Sequence, residues 1–192
     1  MELTERQKQI VDISIKLIAE QGIQNLTIKN IAKEAGFSEP ALYRHFNSKF
    51  DIIMAMLASF QNISAFILSE TEKEELDSLK KIEKFLFDRY HRFAANPQAA
   101  KVMFAEGLFM DDPRFSRKML DIMHQHAVTM QNIIRDGQHN GELRTDIPAR
   151  EMFRIIFGSL RLLVSQWCLA DYNFDLPLEG KLLWNGVQKL IS

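Results

Sequence analysis

An all-α fold of about nine helices follows from three observations on the 192 residues. Apolar residues recur at i, i+3, i+4 and i+7 through most of the chain, which is the signature of one buried helical face. No segment sustains the strict apolar–polar alternation that a half-buried strand requires. The breaks between apolar stretches carry stop and start signals, among them Gly22, Gly36, Asn96-Pro97, Asp112-Pro113 and Pro177. With 46% hydrophobic residues, the chain can bury a core without covalent staples. Its single cysteine, Cys168, excludes an internal disulfide, and no CxxC or His/Cys cluster points to zinc. No metal and no cofactor are expected.

In chain order, Thr4 and Gln7 form a capping box that opens a helix with Ile10, Ile13, Leu17 and Ile18 on its apolar face, and Gly22 ends it. Thr27 caps the second helix, whose buried face is Ile28, Ile31, Ala32 and Ala35, and Gly36 supplies the left-handed stop. Ser38 caps the third, with Pro40 in its first turn, where a missing N–H does no harm. Its apolar side is Ala41, Leu42 and Phe46; its other side carries Glu39, Tyr43, Arg44 and His45. Ser48 and Asp51 open a fourth helix, continued by Ile52, Ile53, Met56, Leu57, Phe60 and Ile63 to about Glu70.

The charged run 71–77 is a solvated turn or helix start. Leu79, Ile82, Leu86, Tyr90 and Phe93 then mark a fifth helix, a shorter one covers 98–109, and a long one covers 114–137. A turn to Pro148 precedes a helix over 149–170 and a last one over 178–191. The most apolar run, 152–170, is interrupted by Arg154, Arg161, Ser165 and Gln166, so a buried helix is expected rather than a membrane span. No charged-then-apolar leader precedes the first helix, and a cytoplasmic location is expected.

Two helices joined by a short turn containing glycine make a helix-turn-helix, whose second helix is built to enter a DNA major groove. Thr27, IAKEAGFS, LYRHF and NSK, at this fixed spacing, closely resemble the DNA-binding segment of the tetracycline-repressor (TetR) family of one-component regulators. The dense resemblance spans about residues 4 to 57; beyond it, only length, helix content and the turn GELRTDIP are similar. It implies a helix-turn-helix domain over 1–48 and an effector-binding and dimerisation domain over 49–192, linked by the helix from Ser48. The family usually carries an acidic residue where this chain has Phe50, a departure expected to affect local packing rather than DNA contact.

A helix that enters the groove N-terminus first brings Ser38, Glu39, Pro40 and Ala41 nearest the base edges. Glu39 can accept from a cytosine amine, while Pro40 and Ala41 suit thymine methyls. Tyr43 suits a phosphate or a base methyl; Arg44, His45 and Lys49 suit phosphates. Thr27 and Lys29, at the start of the preceding helix, complete the candidate DNA set. The resemblance places Lys29, Glu39, Pro40, Ala41, Tyr43, His45 and Lys49 on operator-touching positions. The chain's net charge of −1 does not argue against this, because phosphate binding needs a local footprint. Residues 1–50 hold seven Lys/Arg against six Asp/Glu, so salt-sensitive operator binding and weak non-specific binding are expected.

The C-terminal helices carry more apolar surface than one stripe can use, so some of them need two partners. The resemblance implies that the last two long helices form a four-helix dimer interface, and Phe153, Phe157, Leu160, Val164, Trp167, Leu183, Trp184 and Val187 are the candidates. A two-fold dimer implies a palindromic operator. The middle helices offer an aromatic and methionine-rich set adaptable to a largely apolar effector: Phe93, Met103, Phe104, Met119, Met123 and Phe157, with Arg89, His124 and Gln166 to orient it. The function expected is a ligand-responsive repressor that binds double-stranded operator DNA as a homodimer. An architectural DNA-binding protein without an effector is the alternative. An enzyme is disfavoured, since no nucleophile elbow, Walker loop, zinc spacing or dinucleotide fingerprint occurs.

Overall fold

A computed structural model describes residues 3–192 of the chain. Among them are nine α-helices: α1 Glu5–Gln21, α2 Ile28–Ala35, α3 Glu39–Tyr43, α4 Lys49–Lys73, α5 Ser78–Ala95, α6 Pro97–Phe104, α7 Pro113–His139, α8 Ala149–Leu169 and α9 Leu176–Ile191. Short 3-10 turns occupy Ile23–Asn25 and Glu106–Phe109. The caps read from the sequence are in place. The Thr4 and Gln7 side chains satisfy each other's backbone N–H groups, Thr27 Oγ1 accepts from Asn30 N at 3.1 Å, and Ser48 Oγ accepts from Asp51 N at 3.2 Å. Each such cap holds about 1 kcal/mol of helix stability.

Three boundaries differ most from the sequence expectation. α3 ends at Tyr43 instead of running to Phe46. The amides of Arg44 and His45 bond back to Ala41 and Leu42 at 3.3 and 2.9 Å, tightening the last turn so that the chain can reach the Ser48 cap. α4 runs on to Lys73, because Ile67, Leu68 and Thr71 remain buried beyond the point where the apolar pattern weakens. The expected 98–109 helix breaks at Ala105 into α6 and a 3-10 turn that delivers Phe109 to the interior at 1% exposure.

Two apolar cores result. The first joins α1–α3 to the first half of α4 through Ile10, Leu17, Leu26, Ile31, Leu42, Ile52 and Met56, and extends to Val102, Phe109, Phe115 and Ile122. The second packs the end of α4 and α5–α9 around Ile82, Tyr90, Ile134, Met152, Leu160 and Trp184. α9 crosses α5 closely: a Cβ at Gly180 would lie 2.4 Å from the Tyr90 ring, so only glycine fits. By length and composition α4 and α8 are apolar enough to cross a membrane. Here they supply side chains to these cores, α8 along one face only, whereas a buried helix was expected. Phe50, the departure noted above, stacks on Phe115 at 5.1 Å and lies under the Arg114 guanidinium at 3.8 Å, tying the start of α4 to that of α7.

Candidate functional site

α2 and α3 are held against α1 as one reading head. Gly36 adopts φ 69°, ψ 27° between them, and the Phe37 amide bonds to the Ala32 carbonyl at 2.9 Å, closing α2 in a left-handed stop. Ser38 Oγ accepts from Ala41 N at 3.3 Å and starts α3. From α1, Arg6 lies over the Phe37 ring, Gln7 Nε2 donates to the His45 carbonyl at 3.1 Å, and Lys16 pairs with Glu34 at 2.7 Å. Leu42 and Phe46 fill the space beneath.

That packing turns the polar side of α3 outward. Thr27, Lys29, Ser38, Glu39, Pro40, Tyr43 and Arg44 are exposed on the head, while Ala41, His45 and Lys49 are half-buried. Tyr43 stands 49% exposed, which leaves its ring and hydroxyl open to an external partner. Lys49 is the exception among the cations: its Nζ donates to the Ile23 carbonyl at 3.2 Å, which ties it to the head itself. Lys29 and Arg44 have no ion-pair partner among the described residues, so they offer the uncommitted positive charge that phosphates need.

The candidate ligand residues fall into two groups. Arg89, Phe93 and Met103 line a cavity of about 540 Å³ between α1, α4, α5 and α6, within the size range of small-molecule sites. Phe104 stands behind it, edge-on to Phe93 at 5.3 Å. The others do not line it. Met123, His124 and Gln166 are exposed on outer helix faces, Met119 packs against the first core, and Phe157 stacks on Phe153 at 5.3 Å. The buried histidine of α7 is His126, at 4% exposure, two residues from the one expected. Burial, helped by the positive charge of Arg89, pushes its imidazole down to about 3, so it is neutral. The sequence reading missed that α1 and α4 supply much of the wall, through Val11, Asp12, Ile15, Ala55, Ser59 and Phe60. No periodicity in α1 distinguishes a residue facing a cavity from one facing core.

The dimer candidates also fall into two groups. Leu160, Val164, Trp167, Trp184 and Val187 are at most 5% exposed within the single chain, so its own core accounts for them. Phe153, Phe157 and Leu183 are half-buried. The apolar surface left open lies on the opposite sides of the same helices: Ile155, Leu162 and Leu169 on α8, and Leu178, Leu182 and Leu190 on α9, 39 to 88% exposed.

Residues 10–56 match the family model of bacterial regulatory proteins, tetR family, and residues 60–190 match that of the YsiA-like protein, C-terminal region. The chain belongs to the TetR family. Among its TetR-family relatives, the fatty acid metabolism regulator protein of Bacillus subtilis is 25% identical over 170 residues, covering 88% of this chain and 86% of that one. The HTH-type transcriptional regulator TtgR of Pseudomonas putida is 26% identical over 184 residues, covering 91% and 86%. The fold is shared with the fatty acid degradation regulator FadR from Bacillus halodurans, at TM-score 0.86 and 22% identity over 98% of this chain and 97% of that one. It is shared also with FadR from Bacillus subtilis in complex with stearoyl-CoA, at TM-score 0.81 and 22% identity over 94% and 96%. As a TetR-family member, the protein is a ligand-responsive, DNA-binding transcriptional regulator.

Proposed function

We propose that this regulator is a cytoplasmic repressor, that residues 1–48 read a palindromic operator as one half of a homodimer, and that residues 49–192 hold the effector and the second subunit. The observation that carries the reading is the position of the cavity. One wall is α1, which braces the reading head, and the others are α4, α5 and α6. A ligand seated there touches both units, so its binding energy can depend on the angle between them. Such a dependence is what a coupling free energy between effector and DNA requires. The open cavity also favours this reading over an architectural DNA-binding protein, which needs no chamber.

The lining is mostly apolar, with Val11, Ile15, Phe60, Ile63, Phe93 and Met103 among it, and this suits an effector with a hydrocarbon body. The fatty-acid regulators among the relatives, one of them solved with stearoyl-CoA, support an effector built on an acyl chain. The exposed leucine stripes of α8 and α9 supply the dimer face, with Gly158 and Gly186 open on the same helices so that backbones can approach. The test is fluorescence anisotropy of the protein on DNA from upstream of its own gene, with acyl compounds added. Release of the DNA on ligand binding supports the reading; saturable ligand binding that leaves DNA affinity unchanged for every bound compound contradicts it.

A further inference from the structure

Arg89 sits in the cavity wall at 2% exposure, and no carboxylate among the described residues forms an ion pair with it. Its Nη1 donates to Ser64 Oγ at 2.6 Å, its Nη2 reaches only the Met103 sulfur at 3.5 Å, and its Nε has no partner. The rings of Phe93 and Phe85 lie 4.8 and 5.9 Å from the guanidinium carbon. A hydroxyl, a thioether and two ring faces are weak company for a buried cation, whose burial is costly unless an anion or several strong acceptors replace water. The other buried side-chain nitrogen without a partner among the described residues is Nε2 of His126, which does not line the cavity. Burial and the charge of Arg92 draw the guanidinium down to about 10, which leaves it charged at neutral pH.

Resting on the reading of this cavity as the effector chamber, we infer that the effector carries a single carboxylate on its apolar body and that Arg89 is the buried residue that receives it. The two halves of the wall divide the work. The apolar side chains take the hydrocarbon, and the guanidinium supplies a planar pair of donors matched to a carboxylate. The acid group therefore sits inside the protein, whereas the mouth, where Lys8, Asp12, Asn62, Arg92 and Asn96 are exposed, meets the other end of the ligand or solvent. A neutral compound of the same shape would leave the cation without a counter-charge.

Calorimetric titration of the full-length protein with dodecanoate and dodecanoyl-CoA below their micellar concentrations, and with dodecan-1-ol below its solubility limit, tests this. Wild type is expected to bind the acid about tenfold or more tighter than the alcohol, the usual scale of one charge-assisted hydrogen bond. Arg89→Met should bind acid and alcohol alike, keep the wild-type affinity for the alcohol, and melt at or above the wild-type temperature. Equal wild-type affinities for acid and alcohol overturn the inference, and that comparison needs no variant. So does a preference that survives in Arg89→Met, or binding of the CoA ester without binding of the acid. Dodecanoate bound through Arg89 but without effect on DNA would sustain the site while contradicting the effector reading.

Discussion

Tyr43 and Lys29 have the simplest structural surroundings of the DNA candidates, so they give the cleanest tests. Neither supports the fold, and both are exposed. Tyr43→Ala should weaken operator binding roughly tenfold with no loss of thermal stability. Lys29→Ala should weaken binding to all sequences alike and reduce the slope of log K against log salt by about one. A fall in melting temperature alongside either loss would reassign the residue to packing. His126 offers a residue-scale test in pH. The unfolded chain takes up a proton near the ordinary value of 6.5, while the buried native imidazole resists until about 3. Stability therefore falls as pH drops from 6.5 towards 3, and His126→Leu should flatten that part of the denaturation profile. The capping residues Thr4, Thr27, Ser38 and Ser48 were all legible in the sequence, because a cap is a local pattern. His124 and His126 were not separable, since which of them faces inward depends on how α7 is rotated against α8.

Helix existence and order were readable for the same local reason, and helix ends were less so. α3 stops after Tyr43 because its last turn tightens towards the Ser48 cap, and α4 runs past Glu70 because Ile67, Leu68 and Thr71 are buried. The proposed dimer face shows the limit more plainly. The residues chosen as most apolar, such as Trp167 and Trp184, are those the subunit needs for itself, and the leucines it leaves outside are the ones open to a partner. Leu182→Asp should therefore convert dimer to monomer by sedimentation and leave the monomer folded, since Leu182 is 57% exposed. The crossing of α5 and α9 makes the opposite prediction. Gly180→Ala places a methyl against Tyr90 and should cost about 1–3 kcal/mol in denaturant unfolding, without reference to oligomeric state.

At the scale of the molecule, the chain puts its cavity between α1 and α4–α6. The sequence placed the ligand among α5–α8; the structure opens the chamber between α1 and α4–α6, with Arg89, Phe93 and Met103 shared by both accounts. Contacts between α1 and α4–α6 join residues far apart in the chain, and no local pattern encodes them. This location makes a mechanical claim: what fills the chamber presses directly on the helix that carries the reading head. The most direct measurement is operator affinity of the intact protein, by anisotropy, across a titration of the acyl ligand that calorimetry shows to bind. Affinity should fall steeply as the chamber fills, and Ala58→Trp, which crowds the same wall from α4, should weaken DNA binding without any ligand. Operator affinity that stays constant at full occupancy would contradict the account.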